Sequence, residues 1–358
     1  MAGKLKIADI ARQTGLSVST VSRVLAGKSN TSLRAKALVL ECAREQGVLE
    51  PAAGQHPLVN RVVVFAPARA LDQHADIFYF RIIQGLREAV APFEIHLSFC
   101  ALEENDSDAP LFLKRMSDPG NEAAIILGID DPAVHELAAD LGKPTVLINC
   151  RDQGMRLNAV MPDHRQVGEF AANYVIRQGH RRILIVMCLR RFTLEWRLDG
   201  IRDACSAHNV PLDETRQLIT TTGFGAAEAQ AAMRAYLDKC PPDERPTAVI
   251  TGGDFMAVGI IAALQESGCR VPRDVSVMSI DGFNLATIGD IALTSVHVAR
   301  EELGAEALML LQRRMARPQG PACTVLLGGK LAPGASVKRI ASRRGAMASG
   351  EDVGKLYG

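Results

Sequence analysis

From Arg61 onward, short apolar runs alternate with longer amphipathic stretches, and this alternation restricts the fold more than any other feature. Val62–Ala66, Ala123–Leu127, Thr145–Ile148, Ile183–Met187, Ala248–Thr251 and Val275–Ile280 read as strands buried on both faces, the mark of a parallel sheet. Between them, Ile77–Val90, Arg165–Arg177, Ala226–Leu237 and Met256–Glu266 repeat apolar residues at helical spacing. Strand and helix in alternation predict an α/β body with doubly wound parallel sheets. About 280 residues is large for one such sheet, so two similar lobes are expected. Lobe 1 is expected from about 62–161 and 293–322, lobe 2 from about 162–292 and 323–340, with 341–358 as a flexible tail.

The first 60 residues follow a different pattern. The whole chain carries a formal charge of only +1, but the residues through Leu40 hold seven basic side chains against the single acid Asp9. The remainder holds 34 basic and 39 acidic residues. Such a split points to a basic binding module on a slightly acidic body. Ile7, Ile10 and Ala11 have helical spacing, and Gly15 follows as a stop signal. Ser17 is a good N-cap for a second helix, in which Val18, Val21, Val24 and Leu25 repeat every three or four residues until Gly27. Ser32 suits the cap of a third helix through Gln46, with Leu33, Ala37, Leu40 and Cys42 or Ala43 as its apolar face. Two short helices joined by a tight glycine turn outline a helix-turn-helix, so 1–50 is expected to be an all-α DNA-binding headpiece.

The residues just inside the second helix would meet base edges: Val18, Ser19 and, one turn on, Arg23. Arg23 can donate a bidentate pair to guanine or grip a phosphate, while Ser17, Thr20 and Ser22 are short donors suited to phosphates. The plainer reading leaves Ser17 as a cap and Arg23 in solvent.

Other chemistries find little support. No apolar run approaches the ~18 residues that would span a bilayer. The basic N-terminus is followed by Asp9, Arg12 and Gln13 rather than a secretory apolar core, so a cytoplasmic protein is expected. The eight cysteines are scattered without a CxxC and read as reduced thiols; the eight histidines show no HExxH, so no metal or other cofactor is expected. A phosphate-binding GxxxxGK[ST] loop is absent, and Gly223-Phe224-Gly225 is only a fragment of a dinucleotide fingerprint. No nucleophile–base pair stands out, and no enzymatic activity is expected.

Ile7–Gly27 closely resembles the headpiece of the lactose-repressor/galactose-repressor (LacI/GalR) family of bacterial regulators. Gly179-His180-Arg181-Arg182-Ile183, Gly253–Gly259, Val271–Asp281 and Leu293–Val296 with Arg300–Gly304 continue the resemblance in order through the body. It implies a periplasmic-binding-protein-like body whose chain crosses between lobes near 161, 292 and 322. It implies that Val18 and Ser19 choose operator base pairs, and that Asn30 and Leu58 join Ser17, Thr20, Ser22 and Arg23 on the DNA. Ala26 stands where the family usually has Asn.

In that family the linker, here 51–61, forms a hinge helix on DNA whose leucine wedges into the minor groove. Leu58 falls at that position, but Gly54 and Pro57 oppose a helix by about 1 and 3 kcal/mol. Leu58 thus reads either as a wedge or as a packing residue.

For the effector, the resemblance implies Arg197 and Asp281 as polar contacts in an interlobe cleft, with Tyr79 and Phe80 as its aromatic wall. Arg191, Thr193, Phe224 and Asp254 complete the expected set, although a capping role also explains Asp254. An Arg197–Asp281 ion pair that bridges the lobes, without ligand contact, is the structural alternative. Gly253 replaces a common Asn. Trp196, the only tryptophan, reads as packing or cleft lining. A sugar, polyol or sugar derivative is the expected effector, with a purine or nucleoside as alternative. The expected whole is a homodimeric repressor on double-stranded operator DNA, with no membrane partner; a small-molecule binding protein without DNA activity is the other reading.

Overall fold

The computed structural model describes residues 2–25, 32, 35, 38, 39, 42, 43, 59–72, 76–283 and 291–340. Asn30, Leu58, most of the expected third headpiece helix and the tail 341–358 lie outside the described residues.

Near the N-terminus, α1 (Ala2–Thr14) and α2 (Val18–Leu25) are joined by a turn through Gly15, whose φ of 67° suits a residue without Cβ. Ile10, Ala11, Val21 and Val24 bury against Val39, Cys42 and Ala43, which closes a small core. Ser17 caps α2 by accepting from the Thr20 amide at 3.1 Å, and Ser32 accepts from the Ala35 amide at 3.3 Å. One grouping differs from expectation: Val18 is 54% exposed and does not join Val21 and Val24 in the core.

The described residues form two compact units, 1–161 with 300–325 and 162–299 with 326–358. In the first, β1 (Arg61–Ala66), β2 (His96–Ala101), β3 (Ala123–Leu127), β4 (Thr145–Ile148), β5 (Asn158–Pro162) and β11 (Thr324–Leu327) form a sheet of order β11-β5-β4-β3-β1-β2. Its helices are α3 (Ile77–Val90), α4 (Ala109–Ser117), α5 (Pro132–Asp140) and α11 (Arg300–Ala316). Asp76, Asp108 and Asp131 cap α3, α4 and α5, each accepting a backbone N–H of the first turn.

The second unit repeats the arrangement. Its strands are β6 (Ile183–Met187), β7 (Leu218–Thr220), β8 (Ala248–Thr251), β9 (Ser276–Asp281), β10 (Thr294–Val298) and β12 (Gly329–Ala332), in the order β12-β10-β9-β8-β6-β7. Only β12 pairs antiparallel; the rest are parallel, and β6, β8 and β9 are buried along their length. The helices are α6 (His164–Arg177), α7 (Phe192–Ala207), the single turn α8 (Glu214–Gln217), α9 (Ala226–Leu237) and α10 (Asp254–Glu266). The strand β10 was expected in the first lobe. It pairs with β9 through Ser295↔Ser279 and Val296↔Ile280, and Ser336 Oγ accepts its Thr294 amide, so the chain leaves the second unit only after Ala299.

Candidate DNA-reading face and effector-binding residues

The outward face of α2 is polar except at one place. Ser17, Val18, Ser19, Ser22 and Arg23 are exposed and Thr20 is half-buried, while Val21 and Val24 point inward. The Ser17 hydroxyl is already shared with Ser19 Oγ (2.9 Å) and Thr20 Oγ1 (2.8 Å). Arg23 Nε donates to the Ser19 carbonyl at 3.2 Å, which steadies the root of the side chain and leaves its terminal amino groups outward. An exposed valine between hydroxyls, one turn before an arginine, offers a methyl-contacting surface and a guanine-reading fork on one face.

In the second unit the expected effector residues gather at the carboxyl ends of its parallel strands, where open α/β sheets hold ligands. Arg197, 3% exposed, stands on α7. Its Nη2 donates to Asp281 Oδ1 at 2.8 Å, its Nη1 to the Gly252 carbonyl at 2.7 Å, and its Nε to His164 Nδ1 at 3.2 Å. Asp281 ends β9 with φ 114°, a left-handed conformation that costs a non-glycine residue about 1–3 kcal/mol and tends to occur at functional sites. Gly282, φ 67°, follows; its amide donates to Ser295 Oγ at 3.1 Å, and its carbonyl lies 3.1 Å from His297 Nδ1. Burial and the charge of Arg197 push the His164 imidazole well below its ordinary pKa.

Asp254 is 1% exposed and engaged on both oxygens. Oδ1 accepts from Ser279 Oγ (2.6 Å) and Ser295 Oγ (2.8 Å), and Oδ2 accepts from the Phe283 amide (2.6 Å). It is also the first residue of α10. Asp254 therefore ties α10, β9 and β10 together. A Cβ at Gly253 would stand 3.2 Å from Asp281 Oδ2, so a side chain there would require the carboxylate to shift by a few tenths of an ångström.

Arg191 and Thr193 are buried at the start of α7, Thr193 one turn before Arg197. Phe224 is half-buried, with the Arg190 guanidinium 5.5 Å from its ring centre. Trp196 is half-buried and packs edge-on against Phe192 at 5.0 Å.

Tyr79 and Phe80 belong to the first unit, at the start of α3. Tyr79 is buried; its hydroxyl accepts from Asn149 Nδ2 at 3.2 Å, and the Arg69 guanidinium lies 5.7 Å from its ring centre. Phe80 is half-buried. Arg69 also binds Asp76 and Glu104. Asp130, which follows β3, has its carboxyl pushed up to about 7: burial and the nearby Glu104 charge outweigh the pull of Arg151. In an unfolded chain the same carboxyl ionises near 4. The Asp130 contribution to folded stability therefore falls as the pH rises from about 4 to 7 and is flat above. Asp130→Asn is expected to remove this dependence, gaining about 2–4 kcal/mol at pH 8 and progressively less toward pH 4, measured by denaturant unfolding at several pH values. An equal gain at pH 4 and pH 8 would show that Asp130 is not the titrating group.

Sequence reasoning missed His164, Ser279 and Ser295. Ser279 had a signal, a lone hydroxyl inside the apolar run Val277–Ile280 that must find a partner when buried. His164 had only its place after the Asp163 cap.

Residues 6–47 match bacterial regulatory proteins of the lacI family, and residues 172–337 match a periplasmic binding protein-like domain. The chain thus carries a LacI-family DNA-binding domain and a periplasmic-binding-protein-like domain. The chain is 28% identical over 315 residues to the HTH-type transcriptional repressor CytR of Escherichia coli, covering 86% of this chain and 89% of CytR. It is 28% identical over 340 residues to the repressor PurR of Edwardsiella ictaluri, covering 92% and 96%. Among solved structures, a complex of the transcriptional regulator CelR with cellobiose superposes with a TM-score of 0.68 at 25% identity, covering 92% of this chain and 99% of CelR. The lac repressor dimer bound to operator and the anti-inducer ONPF gives 0.66 at 19% identity, covering 92% and 98%. A LacI-family regulator from Enterococcus faecium with bound ribose gives 0.65 at 20% identity, covering 78% and 100%. Among the described residues, no helix is long and apolar enough to cross a membrane, and no group of three or more His, Cys, Asp or Glu is placed to hold a metal ion.

Proposed function

We propose that this chain is a homodimeric LacI-family transcriptional repressor that reads operator DNA with α2 and changes its operator affinity when a small neutral metabolite binds. The observation that carries the DNA reading is the outward face of α2, with Val18 exposed among hydroxyls and Arg23 one turn later. Two such faces, one per protomer, would take the half-sites of a two-fold symmetric operator.

The effector reading rests on Arg197 and Asp281. Their charges compensate each other, so a ligand need bring none. Hydroxyl groups, which both donate and accept, suit such a pair, and this favours a sugar, polyol or sugar derivative. Cellobiose and ribose, bound by the CelR and Enterococcus faecium relatives, point the same way. The half-buried ring of Phe224 favours a second reading, a purine or nucleoside. Arg191 and Thr193 are the proposed supporting residues of this site in the second unit.

Selection from a randomised duplex pool tests the DNA arm. Wild-type protein is expected to retrieve a symmetric site, with affinity falling steeply as salt rises. Arg23→Ala is expected to bind that site about 5- to 150-fold more weakly and to lose the preference at one base position per half-site. Retrieval of no preferred sequence by wild-type protein would overturn the repressor reading. A thermal-shift screen of sugars, polyols and nucleobases tests the effector arm, since a ligand at 100 times its Kd adds about 2.7 kcal/mol of stability.

A further inference from the structure

We propose that His164 is a positioning residue of the effector site, whose Nδ1 fixes the direction in which Arg197 presents its remaining N–H groups. The proposal rests on the reading of Arg197 as an effector contact. His164 is the first residue of α6, directly after the Asp163 cap, and is 1% exposed. Because Arg197 Nε donates to Nδ1, that nitrogen carries no proton, so the ring is uncharged with its hydrogen on Nε2. Burial, the adjacent guanidinium and the positive end of α6 all hold it in that form.

A guanidinium has five N–H groups. On Arg197 three are engaged, by acceptors on three different elements: His164 on α6, the Gly252 carbonyl after β8 and Asp281 at the end of β9. One N–H on each terminal nitrogen remains. The two terminal acceptors fix the far end of the plane, but the third, at Nε, stops the side chain from pivoting about them. Directed hydrogen bonds to a ligand weaken steeply with misalignment, so the aim of those two N–H groups decides affinity. His164 thus acts through Arg197 without touching the ligand.

Three substitutions separate this role from simple packing. His164→Asn keeps an acceptor at the same bond distance from the backbone as Nδ1. His164→Gln moves the acceptor out to the position of Nε2. His164→Leu fills space with no acceptor. In the full-length protein, Arg197 Nε–H should be seen by 15N NMR as a slowly exchanging signal in wild type and in His164→Asn. In the Gln and Leu variants its exchange with water should accelerate at least tenfold. Affinity for the two probe sugars, cellobiose and D-ribose, should stay within about threefold of wild type in the Asn variant and fall at least tenfold in the Gln and Leu variants. Slow exchange and full affinity in the Gln or Leu variant would overturn the proposal, as would a loss in the Asn variant equal to that in the others. The Asn and Gln variants decide the matter even if the Leu variant fails to fold. Should Arg197→Met bind the sugars unchanged, the effector reading fails; in that case, or should wild type bind neither sugar, the exchange measurement still decides whether His164 holds Arg197.

Discussion

Gly168→Ala is expected to destabilise the second unit by about 3 kcal/mol or more, among the largest effects a single methyl can have. Helices α6 and α7 lie so close that a Cβ at Gly168 would stand 2.0 Å from the backbone oxygen of Arg197. The same closeness recurs one turn along, where a Cβ at Gly200 would stand 1.8 Å from the Arg165 oxygen. A flexible side chain could yield to the added methyl; a helical carbonyl can yield only if the helix moves. The helix that must move carries Arg197, whose three hydrogen bonds depend on its distance from α6, β8 and β9. Effector affinity is therefore expected to drop together with stability. Trp196, the sole tryptophan and the neighbour of Arg197, reports the change by fluorescence during denaturant unfolding. Gly328→Ala is the matched control, because a Cβ there would meet only Gln166 Oε1 at 3.7 Å, and its effect should stay within about 0.5 kcal/mol. Equal behaviour of the two variants would show that α6 and α7 can part without cost.

The sequence was most legible at uninterrupted apolar runs; β5, buried at every residue, was missed because Asn158 and Pro162 leave only three apolar residues between them. The strands β3, β4, β6 and β8 begin and end where the apolar runs predict, and so do α3 and α9, whose apolar stripes are unbroken. Strands of mixed burial were not legible: β2 is half-exposed, β7 has three residues, and β11 and β12 have four residues each, none of them fully buried. A peripheral strand has less apolar surface to bury and leaves a weaker trace. The helix α7 was hidden because Glu195, Arg197, Asp199, Arg202 and Asp203 blur its apolar stripe, and Arg197 among them is buried for the sake of its partners. In the headpiece, periodicity grouped Val18 with Val21 and Val24, yet Val18 faces out. Periodicity alone cannot tell a core valine from one kept outside to meet another molecule. The structural reading paired Arg197 with Asp281 as a bridge between the lobes; the pair forms, but both residues belong to the second unit. His164, 33 residues from Arg197, could not be joined to it by any local pattern.

Arg197→Met is expected to cost about 3–5 kcal/mol of folded stability and to abolish the effector response. Methionine fills most of the volume, so the loss is electrostatic rather than a cavity. Asp281, 9% exposed, would lose the Nη2 donor of Arg197, and the Gly252 carbonyl and His164 Nδ1 would each lose a donor. Breaking a buried pair from one side is the costly case, because the remaining charge stays buried with less to compensate it. Adding Asp281→Asn should therefore recover a large part of the stability, since the amide is neutral and tolerates unusual backbone angles better than most side chains. The response to the effector should not recover in the double variant, because the donors of Arg197 are still missing. Specific operator binding by the headpiece should survive in both variants, which separates loss of the signal from loss of the fold. Denaturant unfolding gives the stabilities, and operator binding with and without the effector found in the screen gives the response. A double variant no more stable than Arg197→Met alone would show that the buried carboxylate was not the source of the loss. A retained response in either variant would move the effector away from Arg197.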